Sequence, residues 1–211
     1  MLRFLIAILI SASFSNNLVS FDSNNDAVKI GGQTWMINNL DVEVFQNGDS
    51  IPHVQDPYLW STLSNGAWCY VDENETKYGK LYNWYAVNDS RGLAQKYWKI
   101  PSNDDWDILI DFLGGDDVAG GKIKSKGGWK AGGGGNNNLK LNCLPGAGRT
   151  KNGSVFGSIG GNVGYWSSSE KIEKSGESTS AWSRNLDYYN TKIYTYKISK
   201  RNGFYIRCIK E

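Results

Sequence analysis

Histidine is almost missing from this chain, since His53 is the only one among 211 residues. A single imidazole with no soft ligand near it in sequence cannot supply a zinc site or the base of a nucleophilic hydrolase. His53 therefore reads as a surface-loop residue. Proline is scarce too, at four residues, and no Pro- or Ser-rich tract divides the chain in two. Neither sign of charge is in excess, with 23 basic residues against 21 acidic ones. That balance carries no electrostatic footprint for nucleic acid. Beyond residue 20 there is no long apolar run, which leaves no membrane span in that part of the chain. Phosphate chemistry lacks its signature, because neither Gly114–Gly121 nor Gly127–Gly135 ends in the Lys-Ser/Thr of a P-loop. Both stretches are expected to be loops. The serine run Ser167-Ser168-Ser169 lacks the flanking glycines of a nucleophile elbow, so no catalytic residue is assigned.

What is present begins with a leader. Met1-Leu2-Arg3 precedes the apolar stretch Phe4 to Ile10, and small and polar residues follow to Ser20. A basic start, a short apolar core and a small-residue exit describe a secretory signal peptide over residues 1–20. Cleavage is expected after Ser15 or Ser20. No cysteine stands there to carry a lipid anchor. The mature protein is then expected outside the cytoplasm, in the extracellular space or the periplasm. About 190 residues remain, a length that suits one domain. Nine Trp, twelve Tyr and 25 Gly describe a chain of strands, turns and aromatic packing. Three cysteines in an oxidising compartment suggest one disulfide and a spare thiol, with three buried thiols as the alternative.

Val28 to Ile30 and Gln33 to Met36 flank Gly31-Gly32, the pattern of a tight hairpin. Residues 47–63 carry Pro52 and Pro57 without a period and are expected to be an ordered loop. Gly66 to Val71 reads as a strand, and Tyr78 to Val87 as a short helix. The clearest element starts at Ser102, a good N-cap followed by Asp104 and Asp105. Trp106, Leu109, Ile110 and Leu113 then form one apolar stripe, and Gly114-Gly115 ends it. Later β-like runs cover 139–144, 164–169, 181–186, 193–198 and 203–209. Helices in the middle and strands at both ends point to an α+β domain whose N- and C-terminal strands lie close together and could pair.

The blocks KIGGQTWMINNL (29–40), AWCY (67–70), YGKLYNWYAV (78–87), WKIPSNDDWDIL (98–109), LPGAGR (144–149), GYWSSSE (164–170) and GFYIRCIK (203–210) come in this order. Together they closely resemble the Fibrobacter succinogenes major paralogous domain, over residues 28–211. That family is distantly similar to the C-type lectin fold and to formylglycine-generating enzymes. In those enzymes an R-L-P-T-E-A-E-W-like block opens a helix and a G-F-R-C-like strand ends the domain. The resemblance implies a C-type lectin-like arrangement of short antiparallel sheets with two or three short helices. Members are mostly secreted bacterial proteins without an assigned activity. The paired active-site cysteines of the oxidase branch have no counterpart around Gly164 to Glu170, so that activity is not implied. Cys69 and Cys208 lie in blocks that carry the resemblance, whereas Cys143 sits where a small apolar residue would serve as well. With the terminal strands adjacent, a Cys69–Cys208 bridge is expected, leaving Cys143 as a buried thiol.

With catalysis set aside, the chain offers an aromatic surface over Trp182 to Tyr196. Tyr and Trp give large contact area at low entropy cost and stack on sugar faces or protein partners. The expected ligand-binding residues are Trp182, Arg184, Asn185, Asp187, Tyr188, Tyr189, Asn190, Tyr194 and Tyr196, with Tyr188, Tyr189 and Asn190 exposed on a turn between two strands. Alternation along strands would send about half of these aromatics to the core. Calcium is the one cofactor to weigh, through Asn185, Asp187 and Asn190, but the Glu-Pro-Asn, Gln-Pro-Asp and Trp-Asn-Asp signatures of calcium-dependent lectins are absent. The sequence thus suggests a secreted binding module for a polysaccharide or a cell-surface protein. The alternatives are a structural surface or matrix protein that packs on its own copies, and a diversity-type lectin-like receptor-binding protein.

Overall fold

A computed structural model describes residues 19–21, 26–170 and 178–211. The core of the leader, up to residue 18, lies outside the described residues. Along the chain come β1 (Val19–Phe21), β2 (Ala27–Ile30), β3 (Gln33–Met36), α1 (Pro57–Thr62), β4 (Trp68–Cys69), β5 (Leu81–Asn83), α2 (Trp84–Val87) and β6 (Trp98–Lys99). There follow α3 (Asn103–Phe112), α4 (Asp116–Ile123), β7 (Gly148–Arg149), β8 (Val155–Phe156), β9 (Asn162–Glu170), β10 (Ser180–Asp187), β11 (Tyr194–Ser199), β12 (Gly203–Phe204) and β13 (Ile209–Lys210). They form three antiparallel sheets, ordered β1-β2-β3-β13-β6, β11-β10-β9 and β4-β5-β12-β7-β8. The domain is α+β.

The opening hairpin turns at Gly31-Gly32 as the sequence indicates, with Ile30 opposite Gln33. Its second strand accepts the chain's last one, Ile209 lying opposite Trp35. The chain's last strand therefore joins the sheet of the opening hairpin through β3, its neighbours being β3 and β6 and not the first strand β1. Helix α3 begins with a reciprocal cap in which Ser102 Oγ accepts from Asp105 N–H (3.2 Å) and Asp105 Oδ2 accepts from Ser102 N–H (2.9 Å). Its stripe of Trp106, Leu109, Ile110 and Leu113 is buried, and the Trp106 ring lies 4.8 Å from that of Trp35. This is one core cluster, shared with Tyr165 and Leu186 on β9 and β10. A second holds Tyr82, Trp84, Trp166, Phe204 and Ile206.

Four expectations change. Pro57–Thr62 is a helix because Asp56 accepts from Leu59 N–H (2.8 Å) and Pro57 occupies the first turn, where its missing N–H costs nothing. Asp116–Ile123 is a helix despite its glycines, with Asp116 and Asp117 at its positive end. Gly120 is needed there because the main-chain oxygens of Thr191 and Lys192 occupy the place of a side chain. Within 78–87 the helix is confined to Trp84–Val87, since Leu81–Asn83 is buried on both faces as a strand between β4 and β12. Over 139–144 there is no strand, only an isolated bridge from Lys124 to Cys143, because Lys140 and Asn142 take left-handed φ of 55° and 54°.

The Cys69–Cys208 bridge is also corrected, for all three cysteines are free and buried. Cys69 points into the first cluster and Cys208 into the second, so the chain between and around them keeps the two thiols in separate cores. Burial pushes the Cys69 thiol up to about 11 and the Cys208 thiol up to about 12, which keeps both in the inert protonated form.

Candidate functional site

Strands β9, β10 and β11 form a sheet whose two faces differ. Asn185 on β10 lies opposite Gly164 on β9 and Tyr194 on β11, and Ser183 lies opposite Trp166 and Tyr196. Residues in register project to one side. The other side carries Tyr165, Arg184 and Leu186 toward α3 and the first core cluster.

Arg184 is therefore a strut and not a surface residue. Its guanidinium, 2 % exposed, donates to Asp107 Oδ1 at 2.8 Å and to Asn103 Oδ1 at 3.1 Å, tying β10 to α3. Trp182 shares that face, half-buried under Lys197, whose Nζ sits 4.9 Å from the ring. Both leave the set of groove residues. The remaining seven gather at the end of the sheet where β10 passes into β11.

Tyr188, Tyr189 and Asn190 form the connecting turn, with Tyr188 37 % and Tyr189 64 % exposed. The Tyr189 hydroxyl donates to Asp187 Oδ2 at 3.1 Å, and that carboxylate raises the phenol to about 12. Asn190 Nδ2 donates to the Tyr194 hydroxyl at 2.7 Å while its Oδ1 accepts from Lys192 N–H at 2.9 Å. Tyr194 and Tyr196, two apart on β11, stack in parallel at 5.8 Å between centroids and 4° between planes. Asn185, Asp187 and Asn190 do not converge as a cation cage, since Asn190 Oδ1 is committed to the main chain and Asp187 is their one carboxylate.

Beside the turn lies a groove of about 490 Å³, within the usual range for small-molecule sites. Tyr188, Tyr196, Asn185 and Asp187 line one side of it; Phe156, Ser158 and Asn162 line the other. Asn162 Oδ1 accepts from Ser158 N–H at 2.9 Å, closing that wall on itself. Asn185 is 4 % exposed, and its Nδ2 donates to Ser183 Oγ at 2.8 Å. Its Oδ1 has no partner among the described residues, an arrangement that ordinarily costs about 1–3 kcal/mol.

The turn is held from behind by Lys124, at the end of α4. Its side chain is buried, its Nζ donates to the main-chain oxygens of Asp187 and of Asn190 (2.6 Å), and it lies 4.5 Å from the Trp129 ring centre. Burial pulls the ammonium down to about 8 against the charge of Asp187. The glycine run packs here as well: at Gly133 the Tyr188 main chain fills the space a side chain would need. Sequence reasoning missed Lys124, Asn162 and Phe156. The only signal was a lysine preceding a glycine run, which ordinarily means a solvated loop.

Two serines of the run 167–169 and the histidine make structural contacts. Ser169 Oγ accepts from Asn103 N–H at 2.9 Å and Ser167 is buried. His53 stacks on Trp68 at 4.0 Å.

A family model described as the Fibrobacter succinogenes major domain matches residues 28–210. No curated protein and no solved structure matches the chain.

Proposed function

This chain belongs to the Fibrobacter succinogenes major domain family, and from that premise we propose that it is an exported, non-catalytic binding module with a C-type lectin-like fold. The observation that carries the reading is the tyrosine turn beside the groove: Tyr188, Tyr189 and Tyr196 are exposed on a surface that Lys124 and Gly133 hold rigid. Rigid exposed aromatics give contact area without a large ordering cost. The lectin-like reading draws support from the pairing of the last strand with the opening hairpin's β3 and from a capped helix ahead of the later sheets. Export draws support from the leader pattern of residues 1–20.

The ligand is a polysaccharide or a cell-surface protein. Binding of the purified protein to a glycan array and to intact bacterial cells, alongside Tyr188→Ala and Tyr196→Ala variants, tests this. Binding that both variants lose by tenfold or more, with unchanged melting, is the expected result. Concentration-dependent self-association without any ligand would favour the matrix reading instead.

A further inference from the structure

From the free edge of the sheet of β9, β10 and β11 we infer that the partner is a protein, whose extended segment adds to β11 as a fourth strand and sets an acidic side chain opposite Lys197. The inference rests on the reading of this surface as a binding site and narrows it to the protein branch.

Strand β11 is an edge of its sheet, with β10 as its neighbour on one side and no strand on the other among the described residues. It runs for six residues against β10 without a shift of register. Lys200 N–H donates to the Thr179 main-chain oxygen at 3.0 Å, which makes residues 179 and 200 a hydrogen-bonded pair. Such pairs alternate along an antiparallel ladder. Tyr194, Tyr196 and Ile198 therefore bond inward to β10, while the N–H and C=O groups of Thr195 and Lys197 point outward. Both ends of this edge are closed. Ile193 N–H donates to the Asp116 main-chain oxygen at 2.9 Å, and the Ser199 oxygen accepts from Asn202 N–H at 2.8 Å. Between them Thr195, Tyr196 and Lys197 are exposed, and the outward groups have no partner among the described residues. Neither proline nor a bulge blunts the strand. That is a template for one more antiparallel strand, held by main-chain hydrogen bonds.

Side chains choose the occupant. Tyr196 and Ile198 line the groove, so the residues of an added strand on that face lie beside two apolar neighbours and favour β-branched side chains. Thr195 and Lys197 face the other way. Of the lysines on and around β11, Lys192 pairs with Asp117 and Lys200 with Glu170. Lys197 lies over the Trp182 ring and meets no carboxylate among the described residues. A carboxylate on the incoming strand would meet that ammonium across the new ladder. A second copy of this chain fits less well. Centred on Tyr196, two β11 strands would place each Lys197 diagonal to its counterpart, about 7–8 Å away, and centred on Lys197 they would set the two directly opposite.

Two end-capped seven-residue peptides test this by calorimetric titration of the full mature protein, one alternating valine with glutamate and one alternating valine with lysine. The acidic peptide should bind at least tenfold more tightly than the basic one, and Lys197→Glu should reverse that order. Methylating the main-chain nitrogens of the peptide's glutamates should weaken binding tenfold or more. Thr195→Pro should do the same from the protein's side, since it removes an outward N–H and no bond to β10. Amide exchange at Thr195 and Lys197 should slow when the acidic peptide is bound. Equal affinity for the methylated peptide, or unchanged exchange at those two amides, overturns strand addition; if Tyr188→Ala still abolishes that binding, the surface itself stands. Dimerisation without peptide that Thr195→Pro abolishes assigns the edge to a second copy and overturns the inference too. Binding of neither peptide overturns it outright, and glycan binding that Tyr196→Ala loses would then leave the saccharide branch of the proposed function standing.

Discussion

Lys124 Nζ donates to the main-chain oxygen of Asn190 at 2.6 Å, 66 positions further along the chain. One ammonium thereby joins the end of α4 to the turn that carries the exposed tyrosines. Burial lowers this group to about 8 from an unfolded value of 10.5. Between those values the unfolded chain holds more protons than the folded one, so this group's contribution to stability rises with pH across that window, by about 3 kcal/mol in all. Cys69 and Cys208, whose folded values are raised from 9.0, act in the opposite sense above pH 9. The lysine is isolated by subtraction: urea unfolding of wild type and Lys124→Met at pH 7.5 and 10.5 should show stability rising more with pH in wild type. Equal slopes would contradict the assignment.

Trp106 is 1 % exposed against Trp35. Its replacement by Ala should destabilise the domain by about 3–5 kcal/mol, as for large core aromatics generally. Trp106→Phe should cost far less, because it also removes the indole N–H that has no partner among the described residues. Denaturant midpoints for the two variants decide it, and a loss under about 1 kcal/mol in the Ala variant would place the residue at the surface.

All three thiols are free and buried. Alkylation in denaturant without a reductant should add three labels per chain, and alkylation of the native protein should add essentially none within the same time. A disulfide-linked peptide in a non-reducing map would overturn this arrangement.

Val19–Phe21 pairs with β2, Val19 lying opposite Ile30. Processing after Ser20 would remove most of that strand, whereas processing after Ser15 keeps it. N-terminal sequencing of exported material should therefore begin at Asn16, and a start at Phe21 would show that β1 is dispensable.

Gly133 leaves no space for a methyl group against the Tyr188 main chain. Gly133→Ala should displace the tyrosine turn and weaken ligand binding tenfold or more, with a smaller effect on the melting temperature than Trp106→Ala. Comparing the two variants by binding and by thermal melting separates a local shift from a global one.

Helix α3 was legible in the sequence because its period, its Ser102 cap and its terminal glycines agree. The turn at Tyr188–Asn190 was legible because aromatic and amide residues interrupt two β-favouring runs. The faces of β10 were not. Ser183, Arg184 and Asn185 are all buried, so polarity does not mark which side meets solvent, and only the register with β9 and β11 separates Arg184 from Asn185. The groove's far wall, Phe156 to Asn162, comes from a segment with no periodic signal. Lys124 could not be read as buried because what accepts its protons is main chain brought in from Asp187 and Asn190.

Strand β13 lies between β3 and β6, so the sheet begun by residues 27–36 receives an inner strand from residues 209–210. No local intermediate of the hairpin alone can complete that sheet, and closing so long a loop delays the event that would lock it. A chain built this way completes this sheet only when its most distant segment arrives. That lag is what a polypeptide needs if it must be threaded through a translocation pore before it folds.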